Sequence, residues 1–383
     1  MLSRHSASLQ RLRGPLLALS LPALAVGCLQ FEEPLADLGD TEVDPAQRKD
    51  GSVARDVSYV EDAGEESDAE PELDASEADS GVDAEVDAGV QDAGKQDAMV
   101  PIPKRPANLP NCNFAAPINA STITDTLLNE ISGLVPSRKN QQIIWVVEDS
   151  GNGSSVHAVN QMGQLKATYS VSGGGFDMED IAVGPGPVAG ASYLYIADIG
   201  DNSASREHVT ILRAPEPEVG WDQAPISGVL SNVEPLNFKF PSGKYNAETV
   251  MVDTNQDIYL VTKEGFSGPN MLNLLAAPQV PFTVRTTTEL GGLYAGVGID
   301  IAITSGDISA DGKRVVVRSL RAAQHWTRAT GVSIADTLLK GTPCNAPLSK
   351  EESQGESIGF SDTGYFSISE GTSPVMHFVS FTK

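Results

Sequence analysis

The stretch DMEDIAVGPGPVAGASYLYIADIGDN, residues 177–202, carries the pattern on which the fold turns. Three carboxylates, Asp177, Glu179 and Asp180, lead straight into the apolar run Ile181-Ala182-Val183. After a Gly/Pro-rich turn a second run, Tyr193 to Ala197, ends on Asp198, with Asp201 just beyond. Short apolar runs bounded by Gly, Pro, Asn and Asp read as strands joined by turns. The same acid-led strand, followed by a second strand with a charged end, recurs four more times. NEISGLV at Glu130 precedes WVVEDSG at Glu148, NAETVMV at Glu248 precedes YLVTKEG at Lys263, ITSGDIS at Asp307 precedes VVVRSL at Arg318, and QGESIGF at Glu356 precedes FSISEG at Glu370.

Third and fourth strand-like runs follow in four of the five units: VHAVN and KATYSV, HVTILRA and LNFKF, LNLLAA and FTVRTT, HWTRA and VSIADTLL. The leading acids are spaced 49, 69, 59 and 49 residues apart. A unit of about 40 to 50 residues with four strands is the period of a propeller blade. The expected fold is therefore an all-β, five-bladed β-propeller without amphipathic helices. Six blades stand as the alternative, since the 69-residue interval has room for a degenerate unit. The last unit ends one strand short, after VMHFVSF. STITDTLL at Ser121 to Leu128 echoes VSIADTLL at Val332 to Leu339, so an N-terminal strand is expected to complete the last blade and remove its open edge.

In a propeller the first strand of each blade lines the central channel, and its start lies on the same face of the disc as the end of the second strand. The scattered charges thereby become one site: an inner ring of Glu130, Glu179, Asp180, Glu248, Asp307 and Glu356, with Glu148, Asp198, Asp201, Lys263, Arg318 and Glu370 around it. Gathered carboxylates bind a hard cation, pair with bases, or raise one another's pKa. The metal reading assigns Ca²⁺ to Glu179, Asp180, Asp198, Asp201 and Glu248, and a ligand to Glu130, Glu148, Lys263, Arg318, Glu356 and Glu370. The architectural reading makes the acids acceptors for backbone N–H groups of the next blade. The swap of sign at Lys263 and Arg318 argues for more than repetition. Whether the site catalyses a reaction stays open, with no catalytic residue assigned.

The N-terminus sets location. Arg4, Arg11 and Arg13 precede the apolar LLALSLPALAV and Gly27-Cys28, the layout of a secretory signal peptide over residues 1–28. Leu24 to Cys28 resembles the lipobox of bacterial lipoproteins, with Cys28 as the lipidated residue and Ala25 where leucine is usual. The formal charge of −25 is concentrated just after it. Residues 31–100 hold 23 acids against Arg48, Lys49, Arg55 and Lys95. Such a sequence cannot bury enough apolar surface to fold, so residues 29–105 read as a disordered acidic tether and 106–383 as the propeller domain. The expected protein is lipid-anchored on the extracytoplasmic side of the cell envelope, at an outer membrane or cell surface, with the anchor's membrane and a ligand or protein as partners. Nucleic acid is excluded, because no basic stripe exists to displace counterions from phosphates. With Cys28 lipidated, Cys112 and Cys344 are left as a disulfide candidate.

Other signals weigh little. Gly355-Glu356-Ser357-Ile358-Gly359 fits the nucleophile elbow G-x-S-x-G, which requires a strand-turn-helix that this β context does not offer. His157, His208, His325 and His377 recur at the starts of third strands and lack zinc spacing. Ala310 to Lys313 reads as a tight hairpin turn.

Together D-x-E-D-I-A-V, Y-I-A-D-I-G-D-N, Y-N-A-E-T-V-M-V-D, Y-L-V-T-K and Q-G-E-S-I-G-F resemble a family of exported bacterial propeller lipoproteins, over residues 121–383. More distantly, the acid-lined channel is similar to phytase-like and lactonase-like propellers. That likeness implies channel calcium and hydrolysis of a phosphoester or lactone.

Overall fold

The computed structural model describes residues 109–149, 151, 153–264, 269–294 and 302–382. The leader 1–28 with Cys28, and the tether 29–105, lie outside the described residues. Five sheets, antiparallel within each blade, account for the described strands. Blade 1 is built from Ile131–Pro136, Ile143–Glu148, Ser155–Asn160 and Leu165–Ser170, and blade 2 from Met178–Pro185, Ser192–Asp198, Val209–Pro215 and Glu234–Lys239. Blade 3 runs Ala247–Val252, Ile258–Thr262, Asn270–Leu275 and Thr288–Leu293, and blade 4 runs Ile303–Ile308, Arg314–Ser319, Ala323–Thr327 and Cys344–Ala346. Blade 5 takes Gly355–Ser361, Gly364–Ser369 and Val375–Ser380 from the C-terminus and Ile118–Thr122 from the N-terminal side.

The chain is a five-bladed β-propeller, and its ring is closed by packing as well as by that shared blade. Five apolar clusters fill the five gaps between neighbouring blades. Trp145 and Val147 meet Ile181 and Leu194, Tyr195 and Ile211 meet Val250 and Leu260, and Met251 and Val261 meet Ile308 and Val317. Val316 and Ala323 meet Ile358 and Tyr365, and Ile131 and Val146 meet Phe366 and Met376. The innermost strands are buried on both faces, which explains their continuous apolar runs.

The long 69- and 59-residue intervals hold straps instead of a sixth blade. The loop before the fourth strand of blade 2 sends Ile226–Val229 back to lie parallel to Leu165–Ser170 of blade 1. The loop of blade 3 sends Arg285–Thr286 back beside Glu234–Lys239 of blade 2. FTVRTT therefore contributes to blade 2, and Thr288–Leu293 is the fourth strand of blade 3.

VSIADTLL is a helix, not a strand. Ile334–Lys340 is α-helical, with Ser333 as its N-cap accepting from the Asp336 amide at 3.0 Å. Ile334 and Leu338, four apart, both face the core between blades 3 and 4, while Asp336 pairs with Lys340 at 2.7 Å on the exposed side. The fourth strand of blade 4 is Cys344–Ala346 instead. The closing strand is accordingly Ile118–Thr122, running from Ile118 opposite Phe378 to Thr122 opposite Val375. Only Ser121 and Thr122 of STITDTLL belong to it; Ile123 and Leu128 drop into the core between blades 5 and 1. Upstream, Cys112 is bonded to Cys344 with the Cα atoms 5.1 Å apart, which ties the N-terminal segment to the outer edge of blade 4.

Candidate functional site

A repeated irregularity builds the site. Each innermost strand slips register at the same step: Ile131/Gly133, Met178/Asp180, Ala247/Thr249, Ile303/Ser305 and Gly355/Ser357. A β-bulge adds one residue against its partner strand and re-aims that side chain. The five bulge residues are Ser132, Glu179, Glu248, Thr304 and Glu356, equivalent by register and placed at the mouth of the channel. Where the residue carries a hydroxyl it knits blades together: Ser132 Oγ donates to the Glu179 carbonyl at 2.6 Å, and Thr304 Oγ1 to the Gly355 carbonyl at 2.9 Å. At the other three positions Glu179, Glu248 and Glu356 bring their carboxyls close enough for Glu248 to raise the pKa of both the others.

A second layer stands where the second strands end. The amides of Asp149, Gly200, Lys263 and Glu370 donate to the carbonyls of Glu130, Asp177, Asn246 and Gln354, which makes these four positions equivalent. Asp149, Lys263 and Glu370 thus surround the bulge glutamates, and Gly200 leaves a gap. That gap is filled from next door, since a Cβ on Gly200 would collide with Asp177 Oδ2 and Glu179 Oε1. Carboxylate oxygens of Asp149, Asp177 and Glu179 all lie within 4.8 Å of one another. Lys263 Nζ is 2.5 Å from Glu248 Oε1 and is the cation of the mouth's inner layer.

Crowding and burial set the protonation. Burial, reinforced by Glu248, Asp149 and Asp177, pushes Glu179 up to about 10. Burial pushes Glu356 up to about 8, Glu248 adding to it, and Glu248 itself to about 7 against the pull of Lys263. Glu370 is raised as well, by burial and then by Asp149. Lys263 is drawn down by burial but held above its ordinary value by Glu248, Glu356 and Glu179 together. At neutral pH the mouth therefore retains protons that an incoming cation would displace. A buried carboxyl that keeps its proton beside an ionised one is also the arrangement that general acid–base chemistry uses.

Several expected members sit elsewhere. Glu130 lies two residues before the bulge of its strand, level with Asp177, and Asp307 lies three residues beyond its own. Asp180 and Asp307 are architectural: each accepts from its own next amide, Ile181 or Ile308, and from one in the following blade, Val250 at 3.0 Å or Phe360 at 2.8 Å. Burial raises Asp180 well above the ordinary range and Asp307 to about 6. Asp198 accepts from the amides of Gly175, Phe176 and Asp177 and pairs with Arg206 at 2.8 Å, while Asp201 accepts from the Ser205 and Arg206 amides. The set Glu179, Asp180, Asp198, Asp201 and Glu248 does not converge on one point. Glu179 and Glu248 alone remain in the mouth, where Asp149 and Asp177 join them.

Arg318 is fully buried, bonded to Glu352 at 2.7 Å and to the carbonyls of Ser319, Leu320 and Ser357, so it braces blades 4 and 5 and offers no ligand contact. Glu148 accepts from the Asn129 amide and lies 3.7 Å from His157. His157 and His325 are pushed down to about 4 by burial and stay neutral. Ser357 is wholly buried on an inner strand, out of reach of a substrate. Asp149, one residue past the charged strand end, and Ser132 and Thr304, uncharged members of a ring sought among acids, were missed in the sequence. The register slips that align Ser132 and Thr304 with the glutamates appear only where the strands pair, and Asp149 joins them only through its amide bond to the Glu130 carbonyl.

No protein-family model matches the chain. No curated protein matches it either. Among solved structures that match is the selenomethionine-substituted virginiamycin B lyase from Staphylococcus aureus, 9% identical, with a TM-score of 0.36 over 70% of this chain and 100% of that one. A likeness that slight transfers nothing to this site.

Proposed function

We propose that this chain is a lipid-anchored, extracytoplasmic β-propeller that binds a ligand or protein partner through the acidic mouth of its channel, and that positive charge is what the mouth recognises. One observation carries the reading: Glu179, Glu248 and Glu356 are brought together by equivalent bulges at a burial that raises all three pKa values, with Lys263 as their inner counter-charge. Such a cluster gains free energy from any cation that replaces its protons. The signal-peptide layout, the lipobox-like Leu24 to Cys28 and the acidic segment 29–105 support an anchored domain held away from the membrane.

A second reading is a Ca²⁺-dependent hydrolase of phosphoesters or lactones at the same mouth. The carboxylates of Asp149, Asp177 and Glu179 favour it, being oxygen donors of the kind a hard cation takes. Asp177 and Gly200 also line an adjoining cavity of about 700 Å³, large enough for a small substrate. Bound there, the ion would supply Lewis acidity; this chain's residues would hold it and keep Lys263 beside an anionic group.

The test is titration calorimetry of the full-length protein with CaCl₂ and, separately, with an oligolysine peptide, in two buffers of different ionisation enthalpy. Binding at neutral pH is expected to release protons and to weaken at least about tenfold in Glu248→Gln/Glu356→Gln, or in Asp149→Asn/Glu179→Gln for calcium. Peptide binding without calcium binding would remove the hydrolase reading. Binding of neither probe, or binding indifferent to these substitutions, would overturn the assignment of the mouth.

A further inference from the structure

The opposite face of the disc carries a second site of the other sign. There the hairpins joining first and second strands differ in length. Blade 5 turns on Asp362 and Thr363 alone, whereas blade 1 uses residues 137–142 and blade 4 residues 309–313. The short turn between two long ones leaves a cleft of about 740 Å³, walled by all three hairpins and by the closing strand.

Its charge contrasts with the mouth. Arg138, Lys139 and Arg314 line it, and none of them makes a salt bridge to a carboxylate among the described residues. Arg138 donates one Nη2 bond to the Ile308 carbonyl at 2.8 Å and also acts on the buried Asp307, whose burial-raised pKa it lowers, while Lys139 donates one bond to the Glu216 carbonyl at 3.3 Å. The Arg314 guanidinium rests on the Phe381 ring, Cζ 4.4 Å from its centroid, so its plane is fixed while its N–H groups stay available. Of the two acids in the wall, Asp311 is occupied by Ser309 at 2.7 Å and by Lys313.

The rest of the lining is amide, hydroxyl and aromatic. Gln142 and Gln161 are joined through their backbones at 3.0 Å, and both line the cleft. Gln142 sits at φ 59°, a left-handed conformation that glycine would adopt without strain. Phe378, half-buried, lines the floor of the cleft, backed by the buried Phe366 with ring centroids 4.8 Å apart.

We infer that this cleft binds a saccharide bearing an anionic group, its carboxylate, sulfate or phosphate meeting Arg138 and Arg314, its hydroxyls meeting Gln142 and Gln161, and a ring face resting on Phe378. Fork-shaped guanidinium donors suit a planar or tetrahedral oxyanion. Rows of amides suit hydroxyls, which both donate and accept.

Calorimetry of the full-length protein with trigalacturonate, maltotriose and inorganic phosphate tests this, with Arg314→Gln and Gln142→Gly as variants. The expected result is binding of trigalacturonate, at least about tenfold tighter than maltotriose and reduced at least about tenfold by Arg314→Gln. Gln142→Gly is expected to weaken binding while its thermal midpoint equals or exceeds that of the parent, separating recognition from folding. Glu356→Gln, at the far mouth, is expected to leave trigalacturonate affinity unchanged. No binding at millimolar trigalacturonate, or affinity unaffected by both cleft variants, would overturn the proposal. Phosphate bound as tightly as the trisaccharide would overturn the assignment to a saccharide.

Discussion

Glu356→Gln should change how stability depends on pH more than it changes stability itself. In the folded chain burial and Glu248 lift Glu356 from 4.5 to about 8, so the native state binds its proton where the unfolded chain has lost it. A raised folded-state pKa means that the associated stability is complete below pH 4.5 and is lost as pH rises to about 8. At 1.36 kcal/mol per unit the full loss is about 5 kcal/mol, of which about 3.5 kcal/mol falls between pH 5 and pH 8. Glutamine mimics the protonated acid and does not titrate. Parent and variant are therefore expected to have nearly equal thermal midpoints at pH 5 and to diverge steadily above it, the variant ending about 7–10 °C higher at pH 8. Scanning calorimetry or circular dichroism in EDTA, at half-unit steps of pH, gives the difference curve. A difference that stays constant with pH would show that Glu356 carries no extra proton in the folded chain, and the account of the mouth would fall with it.

Two further outcomes concern the frame that holds the mouth. Gly355→Ala should unfold or severely destabilise the chain, because the new methyl would lie inside the Arg318 guanidinium; Arg318→Met alone should cost about 3–5 kcal/mol by stranding Glu352, and Arg318→Met/Glu352→Leu should recover most of it in urea titrations. Replacing Cys112 and Cys344 by serine releases a link spanning 232 residues of sequence and should cost about 2–5 kcal/mol, read as a lower urea midpoint; an unchanged midpoint would mean that the closing strand alone holds the ring.

Much of the architecture was legible because a propeller is written as a period. Strand chemistry and turn residues repeat in each blade, and the deficit of one strand at the C-terminus called for one from the other end. The closing strand was found through a partly mistaken match: VSIADTLL is a helix in blade 4, its i, i+4 pair of Ile334 and Leu338 concealed within a run that also reads as a strand. STITDTLL nevertheless begins inside the strand that closes the ring. The straps that lengthen two intervals were beyond reach, since pairing of Ile226–Val229 with blade 1 is a long-range contact with no local signature.

The site divides in the same way. Which residue types crowd the channel mouth, and that they are chiefly acids, is a property of the sequence, because four of the five units carry an acid at the start of the first strand. Which of those acids share one point in space was decided by the tertiary structure. A side chain's direction in a strand alternates with every residue, so a difference of one position turns it to the other face. Only the bulges, visible as register slips between paired strands, reveal that Ser132, Glu179, Glu248, Thr304 and Glu356 are equivalent while Glu130 and Asp307 are not. The same one-residue geometry separates Glu179, raised to about 10 at the mouth, from Asp180, spent on the amides of Ile181 and Val250.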